Sequence, residues 1–335
     1  MNKPIVIAID AMGGDNSPKK IIEGIDISLK SNSDNFFYLF GKENLIKKEI
    51  DKKKNIHKYC EIVHAEDIIL DKDSPLAAAK KGKETSIWKT IESQKQGQTD
   101  ISLSAGNTGA LLVISKLILK TIPGINKPAL AGLWPNKNNM NVVLDLGANI
   151  ECNEKNLKDF SIMGAALHKS LFPNEVSKVA LLNIGSEELK GSAVIKNTYQ
   201  ELSKINSSLF EFKGYVEGNN IMSGEVNVII ADGFTGNIAL KTAEGTANFI
   251  TSELKKALTG NLVGKISSLL NLKNINHFKK KLDPRLYNGA ILLGLDSPVV
   301  KSHGGTDYIG FANAISVCEK IIRGKLIDKI KQNII

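Results

Sequence analysis

Arginine is almost missing from this chain: of 44 basic residues only Arg285 and Arg323 are arginines, and lysine supplies the rest. Arg is the side chain that grips planar carboxylates through a rigid two-pronged fork, so no arginine cluster for a polycarboxylic substrate can be assembled. Cysteine is equally sparse. Cys60, Cys152 and Cys318 lie far apart with no C-x-x-C pair, which argues against a disulfide framework or a zinc site. Cys60 and Cys318 sit within apolar patterns, where a small buried side chain is the ordinary role. Aromatic residues make up only 6%, and no basic run is interleaved with them, which argues against nucleic-acid binding by base stacking. Long apolar runs are missing too. The opening MNKPIVIAIDAMGG breaks at Asp10 and two glycines, too early for a signal peptide, and no run of eighteen apolar residues follows. A soluble, cytoplasmic protein is expected.

What is present is a globular composition, 42% hydrophobic and 24% charged over 335 residues, with a net charge of +9. The length allows one large α/β unit or two lobes sharing a sheet. The excess positive charge favours an anionic substrate, an acidic partner or an anionic membrane surface. Continuous apolar runs at 5–9, 36–40, 61–64, 101–104, 142–146, 179–183 and 226–231 read as strands. Helix-like segments at 18–30, from Ser74-Pro75 to about Gly97, and at 109–120 alternate with them. Fully apolar strands joined by crossover helices imply a mostly parallel sheet covered on both faces, a three-layer α/β sandwich. Pro123-Gly124 and Trp134-Pro135 are turn signals that suggest a lobe junction.

Chemistry is concentrated where these strands end. The strand ends run into Asp10-Ala11-Met12-Gly13-Gly14-Asp15, Ala105-Gly106-Asn107-Thr108-Gly109, Asp145-Leu146-Gly147-Ala148-Asn149, Asn183-Ile184-Gly185-Ser186 and Asp232-Gly233-Phe234-Thr235-Gly236-Asn237. A last such loop is Lys301-Ser302-His303-Gly304-Gly305-Thr306-Asp307. Ligands of open α/β sheets bind beyond the carboxyl ends of strands. Glycine lets backbone N–H groups and a helix N-terminus approach an anion, and Asn and Thr add neutral donors. One such loop could be a mere tight turn; several together point to an oxyanion site. None is a nucleotide fingerprint or a G-x-S-x-G elbow, and the five histidines lack metal-ligand spacing. His303 reads as a hydrogen-bonding residue near the site. Lys190, in Glu187-Glu188-Leu189-Lys190-Gly191, reads either as a site lysine or as a solvated one.

In this order the stretches IDAMGGDNSP, SAGNTGALL, KPALAGLWP, VVLDLGAN, LLNIGSEELKG, DGFTGNIALKTAEG, NGAILLGL and VVKSHGGTD resemble the bacterial phosphate acyltransferases of phospholipid synthesis, over nearly the whole chain. The resemblance implies a fold similar to that of phosphotransacetylases and isocitrate and isopropylmalate dehydrogenases. It also implies a single domain over 1–335, a homodimer, and no cofactor or metal. The implied reaction is attack of inorganic phosphate on a fatty acyl thioester of acyl carrier protein. The acyl phosphate formed is passed to a membrane glycerol-3-phosphate acyltransferase. By the same resemblance Lys190 and Asn237 are the catalytic candidates. Asp10, Gly13, Gly14, Asp15, Gly106, Asn107, Thr108, Asp145, Asn149, Asp232, Thr235 and His303 are the phosphate- or substrate-binding candidates, expected to line one pocket. Phosphate is a competent nucleophile and a thioester is activated, so juxtaposition and oxyanion stabilisation suffice. Departures from the family pattern include lysines in Lys80-Lys81-Gly82, Tyr215 where Asn is usual, and Gly304-Gly305-Thr306 in place of Gly-Ser-Ser.

Ile250, Leu254, Leu258, Leu262, Ile266 and Leu270 recur every four residues, flanked by Lys255, Lys256, Lys265, Lys273 and Lys279 to Lys281. The pattern predicts a protruding amphipathic hairpin over about 246–282, broken at Gly260 and Gly264. Leu254, Leu258, Leu262 and Ile266 are candidates for contact with the inner face of the cell membrane; packing in a core or dimer is the other use of such a stripe. Two other functions stay open: a short-chain phosphotransacetylase using acyl-coenzyme A, which the loops alone do not exclude, and a non-catalytic phospholipid-binding module. A decarboxylating dehydrogenase on the same fold would need the arginine cluster that this chain lacks.

Overall fold

The computed structural model describes residues 3–31, 35–70 and 72–334. In chain order the elements are β1 (Ile5–Asp10), α1 (Lys19–Ser31), β2 (Asn35–Gly41), α2 (Glu43–Ile50), β3 (Cys60–His64), α3 (Pro75–Lys81), α4 (Ser86–Lys95), β4 (Ile101–Ser104) and α5 (Thr108–Leu119). There follow β5 (Ala129–Pro135), β6 (Met140–Leu144), α6 (Glu154–Leu171), β7 (Lys178–Asn183), α7 (Ala193–Leu202), β8 (Glu211–Glu217) and β9 (Val228–Ile230). The chain continues through α8 (Gly233–Thr259), α9 (Leu262–Leu270), α10 (Leu272–Lys281), β10 (Ala290–Leu293), β11 (Val299–Lys301), α11 (Tyr308–Arg323) and α12 (Leu326–Asn333).

All strands join one sheet in the order β3-β2-β1-β4-β11-β10-β5-β6-β9-β7-β8. Pairing is parallel except at β11–β10, β10–β5 and β5–β6. The expected mostly parallel, helix-covered sheet is therefore the observed one. The antiparallel pairings reverse polarity, so β6, β9, β7 and β8 run opposite to β1, β2, β3, β4 and β11.

Alternation along the strands explains the layers. Ile7, Ile9, Val142, Leu144, Val228 and Ile230 face one continuous core with Ile21, Met163, Phe311 and Leu326 from α1, α6, α11 and α12. The opposite face is split. Leu292 and Val299 pack under Ile87, Ala110 and Ile114 of α4 and α5. Val143, Ala180 and Ile229 pack under Ala239, Leu240 and Ala243 at the start of α8.

Several local expectations are corrected. The helix begun by Ser74, whose hydroxyl caps Ala77 N–H with Pro75 in the first turn, stops at Gly82 (φ 83°). A fresh cap at Thr85 starts α4. Trp134-Pro135 is no lobe junction: it ends β5, paired with Asn141 and Met140 in a hairpin. Gly264 does not break a helix but lies inside α9, where its bare Cα lets α9 fold back against the Ala257 and Leu258 carbonyls. The breaks fall at Gly260-Asn261 and Asn271 instead, and Ser268 Oγ donates to Leu258 O (2.9 Å) across the bend. Among the described residues no helix is long and apolar enough to cross a membrane.

Candidate active site

The loop residues named from sequence fall into two groups. β10 runs antiparallel to both of its neighbours, so its start faces the loops after β4 and β11, and its end faces the loop after β6. Asn288, before β10, donates to Ser302 Oγ (2.8 Å) and accepts from His303 N–H (2.8 Å). Beyond its other end Gly294 packs on Pro128, whose carbonyl accepts from Asn149 Nδ2 (2.7 Å). The four residues of β10 thus separate the groups by about 13 Å. No hydrogen bond among the described residues joins them. Within a single chain the two groups therefore stand beyond opposite ends of β10.

The first group stands at the ends of β1, β4 and β11. Asp10 is buried; its Oδ1 accepts from Ser86 Oγ (2.7 Å) and its Oδ2 from Ser104 Oγ (2.7 Å). Burial pushes its carboxyl above the ordinary value, against the opposing effect of these hydroxyls. Gly13 lies so close to Gly106 that an added methyl would come within 2.5 Å of the Gly106 nitrogen. Gly14 has a φ of 76°, which favours glycine. Asp15 N–H donates to Gly304 O (3.0 Å), clasping the first loop to the last. Two lysines that sequence reading did not single out are buried here. Lys20 Nζ donates to Gly304 O, and Lys301 Nζ to Ser302 O and to Ala105 O (3.4 Å). Asn107 caps α5 by accepting from Ala110 N–H (2.9 Å) and donates to Asp73 O (2.9 Å). Thr108, Asp15 and His303 are exposed, and His303 Nδ1 accepts from Gly305 N–H (3.1 Å).

The second group stands at the ends of β6, β9 and β7, neighbours that run in one direction. Asp145 is fully buried. It accepts the N–H groups of Leu130 (3.0 Å), Gly147 (3.2 Å), Ala148 (3.0 Å) and Asn149 (2.7 Å), and the Asn149 side-chain amide (2.8 Å). Asp145 therefore shapes its loop and has little left for a ligand. Asp232 caps α8, accepting from Thr235 N–H (2.8 Å) and Thr235 Oγ1 (2.9 Å). Asn237, the fifth residue of α8, is exposed and lies against Gly147, where an added methyl would be 3.5 Å from its Cβ. After β7, Asn183 Nδ2 donates to Gly185 O (3.1 Å) and Lys190 O (3.2 Å), fixing the loop that carries Lys190. Neither the Lys190 ammonium nor the Asn237 amide is given a hydrogen-bond partner by any described residue.

Thiol chemistry is poorly placed. Burial, with the Asp145 charge, pushes Cys152 up to about 11, burial pushes Cys60 up to about 12, and burial holds Cys318 well above its ordinary value. Among the described residues no group of three or more His, Cys, Asp or Glu could hold a metal ion.

A family model described as "Fatty acid synthesis protein" matches residues 5–329. A phosphate acyltransferase of Pelagibacter ubique is 65% identical over all of both chains. The chain belongs to the phosphate acyltransferase family. A second phosphate acyltransferase, from Maricaulis maris, is 40% identical over 98% of this chain and 94% of its own length. The protein is thus an acyltransferase. A solved phosphotransacetylase from Streptococcus pyogenes, 16% identical, superposes with a TM-score of 0.64 over 98% of this chain and 95% of that one, a likeness of fold.

Proposed function

We propose that this acyltransferase moves a fatty acyl group from acyl carrier protein to inorganic phosphate, giving acyl phosphate and free carrier protein. The observation that carries the reading is the pair of uncommitted donors of a phosphate acyltransferase, Lys190 on the loop after β7 and Asn237 near the start of α8 after the neighbouring β9. A phosphate oxygen attacks the thioester carbonyl carbon, the C–O bond forms, and the tetrahedral oxyanion collapses with loss of the thiolate, which is then protonated. Lys190 neutralises phosphate, and Asn237 donates to phosphate or to the oxyanion. No protein nucleophile is needed, in keeping with three thiols held well above neutrality. The first group, with Asp15, Thr108 and His303 exposed above two buried ammonium groups, contributes to substrate binding.

The tip over α8 to α10 is proposed to rest on the cell membrane. Leu262 is 74% exposed and Leu270 82%, and α10 ends in Lys279, Lys280 and Lys281. A basic amphipathic tip would let a lipophilic acyl phosphate reach a membrane glycerol-3-phosphate acyltransferase without crossing water. The enzyme is read as cytoplasmic and peripherally membrane-bound. Of α8 only Gly233 and Gly236 are buried, so its length is also the natural face for a homodimer. The deciding experiment incubates the enzyme with long-chain acyl carrier protein and phosphate and measures acyl phosphate and free thiol. Release from acyl-coenzyme A but not from the carrier protein would replace this reading with a phosphotransacetylase.

A further inference from the structure

Lys190 follows two carboxylates, Glu187 and Glu188, in one exposed turn closed by Lys190 N–H donating to Glu187 O (3.0 Å). An ammonium this close to two acids would ordinarily be neutralised by one of them, and an anionic substrate would then have to displace it. That pairing does not occur: no described residue forms an ion pair with Lys190. Glu187 Oε2 lies against Gly185 beside the Lys190 stem, yet no ion pair forms between them. Glu188 is engaged elsewhere, its Oε1 accepting from the Tyr199 hydroxyl (3.1 Å).

Tyr199 is well placed to hold it. It lies on α7, which starts at the Ser192 cap directly after the loop. Its ring is seated between β8 side chains, 4.8 Å from the Tyr215 ring and 5.5 Å from Phe212. Gly214 leaves the room: an added methyl there would lie 3.3 Å from Tyr199 Cε2. The ring is therefore fixed by stacking, and its hydroxyl reaches out of the stack to a carboxylate that nothing else among the described residues binds.

We infer that Tyr199 is a positioning residue: its hydroxyl draws Glu188 away from Lys190 and so keeps the ammonium open to an anionic substrate. The inference rests on the assignment of Lys190 to the anion site. Tyr199→Phe keeps the stack and removes only the hydroxyl, which frees Glu188 to compete for Lys190. Steady-state kinetics with phosphate varied should then show KM for phosphate rising about three- to fivefold, the strength of an exposed ion pair, with kcat little changed. The rise should shrink at high salt, as screening weakens the freed pair. Glu188→Gln alone should match the parent. Combined with Tyr199→Phe it should restore the parental KM, because the freed side chain carries no charge. An unchanged KM in Tyr199→Phe would overturn the inference. So would a rise that persists in the double variant, since that would reflect lost packing. Lys190→Ala separates the two levels: full activity there overturns the Lys190 assignment and this inference with it. Loss there without loss in Tyr199→Phe overturns this inference alone.

Discussion

The two groups of strand-end loops share a plan and put it to different ends. Each is organised by a buried aspartate directly at or after a strand, Asp10 in the first and Asp145 in the second, that collects donors from neighbouring segments. Asp10 is met by hydroxyls from α4 and β4, and the lysines beside it, Lys20 and Lys301, are buried and donate to loop carbonyls. Asp145 is met mainly by amides of its own loop, while the lysine and asparagine of its group point outward with no partner from the described residues. The first group spends its buried carboxylate and ammonium groups on the fold, whereas the second leaves an ammonium and an amide over. Leftover donors on a rigid base are what catalysis of acyl transfer to an oxyanion asks for, since they need no reorganisation when charge develops.

Substitutions that separate turnover from stability test this contrast most directly. Lys190→Ala should lower kcat/KM about a hundredfold, the cost of one electrostatic contact made in the transition state. Asn237→Ala, which removes a neutral donor, should cost about tenfold. Thermal unfolding should be unchanged in both, because both side chains are exposed. A fall in melting temperature matching the loss of activity would break the comparison.

The first group should respond in the opposite way. Asp10→Ala strands two buried hydroxyls and should destabilise the fold by about 2–3 kcal/mol, read from denaturant unfolding. Gly13→Ala forces Cβ against the Gly106 backbone and should cost about 1–3 kcal/mol. A pH series sharpens the point. Burial raises the Asp10 carboxyl above 3.8, so the folded state holds its proton longer than the unfolded chain does. This group's contribution to stability is therefore fullest below pH 3.8 and declines as pH rises from there through the folded-state value. Asp10→Asn should lack that component, and an identical slope in parent and variant would show that Asp10 ionises normally.

These contrasts were only partly legible in the sequence. Apolar runs gave the long central strands, and the Ser74 cap is local, so its signal survives without tertiary context, whereas Asp232, read as a binding residue, caps α8. The short strands β10 and β11 went unassigned, because a run of three or four apolar residues has no usable period. The seven-residue strands β5 and β8 went unassigned too, the first interrupted by Gly132 and the second by Lys213 and Gly214. The loops were visible as candidates, but their division was not. It depends on β10 entering the sheet antiparallel, a pairing between segments about 160 residues apart. Lys20 looked like any helix lysine, since its carbonyl partner, Gly304, is 284 positions away. No arrangement of residues around Lys20 could have signalled that contact.

No effect on turnover or stability is expected at the far end of α8, the helix that begins beside Asn237 and leads to the basic tip. Leu262→Glu with Ile266→Glu should weaken binding to anionic vesicles in co-sedimentation, since each exposed apolar side chain that enters the interface contributes about 1–2 kcal/mol. The single change Lys280→Ala should do less, about 1 kcal/mol or roughly fivefold in partitioning at low salt, and nothing on neutral vesicles. The solution melting temperature should stay constant in all of these, because neither α9 nor α10 has a buried residue. Turnover of a soluble, short-chain acyl donor should stay constant as well. If it fell with vesicle binding, the tip and the second loop group would be one coupled unit, and the donors on that loop would not be as independent of their surroundings as the contrast with the first group requires.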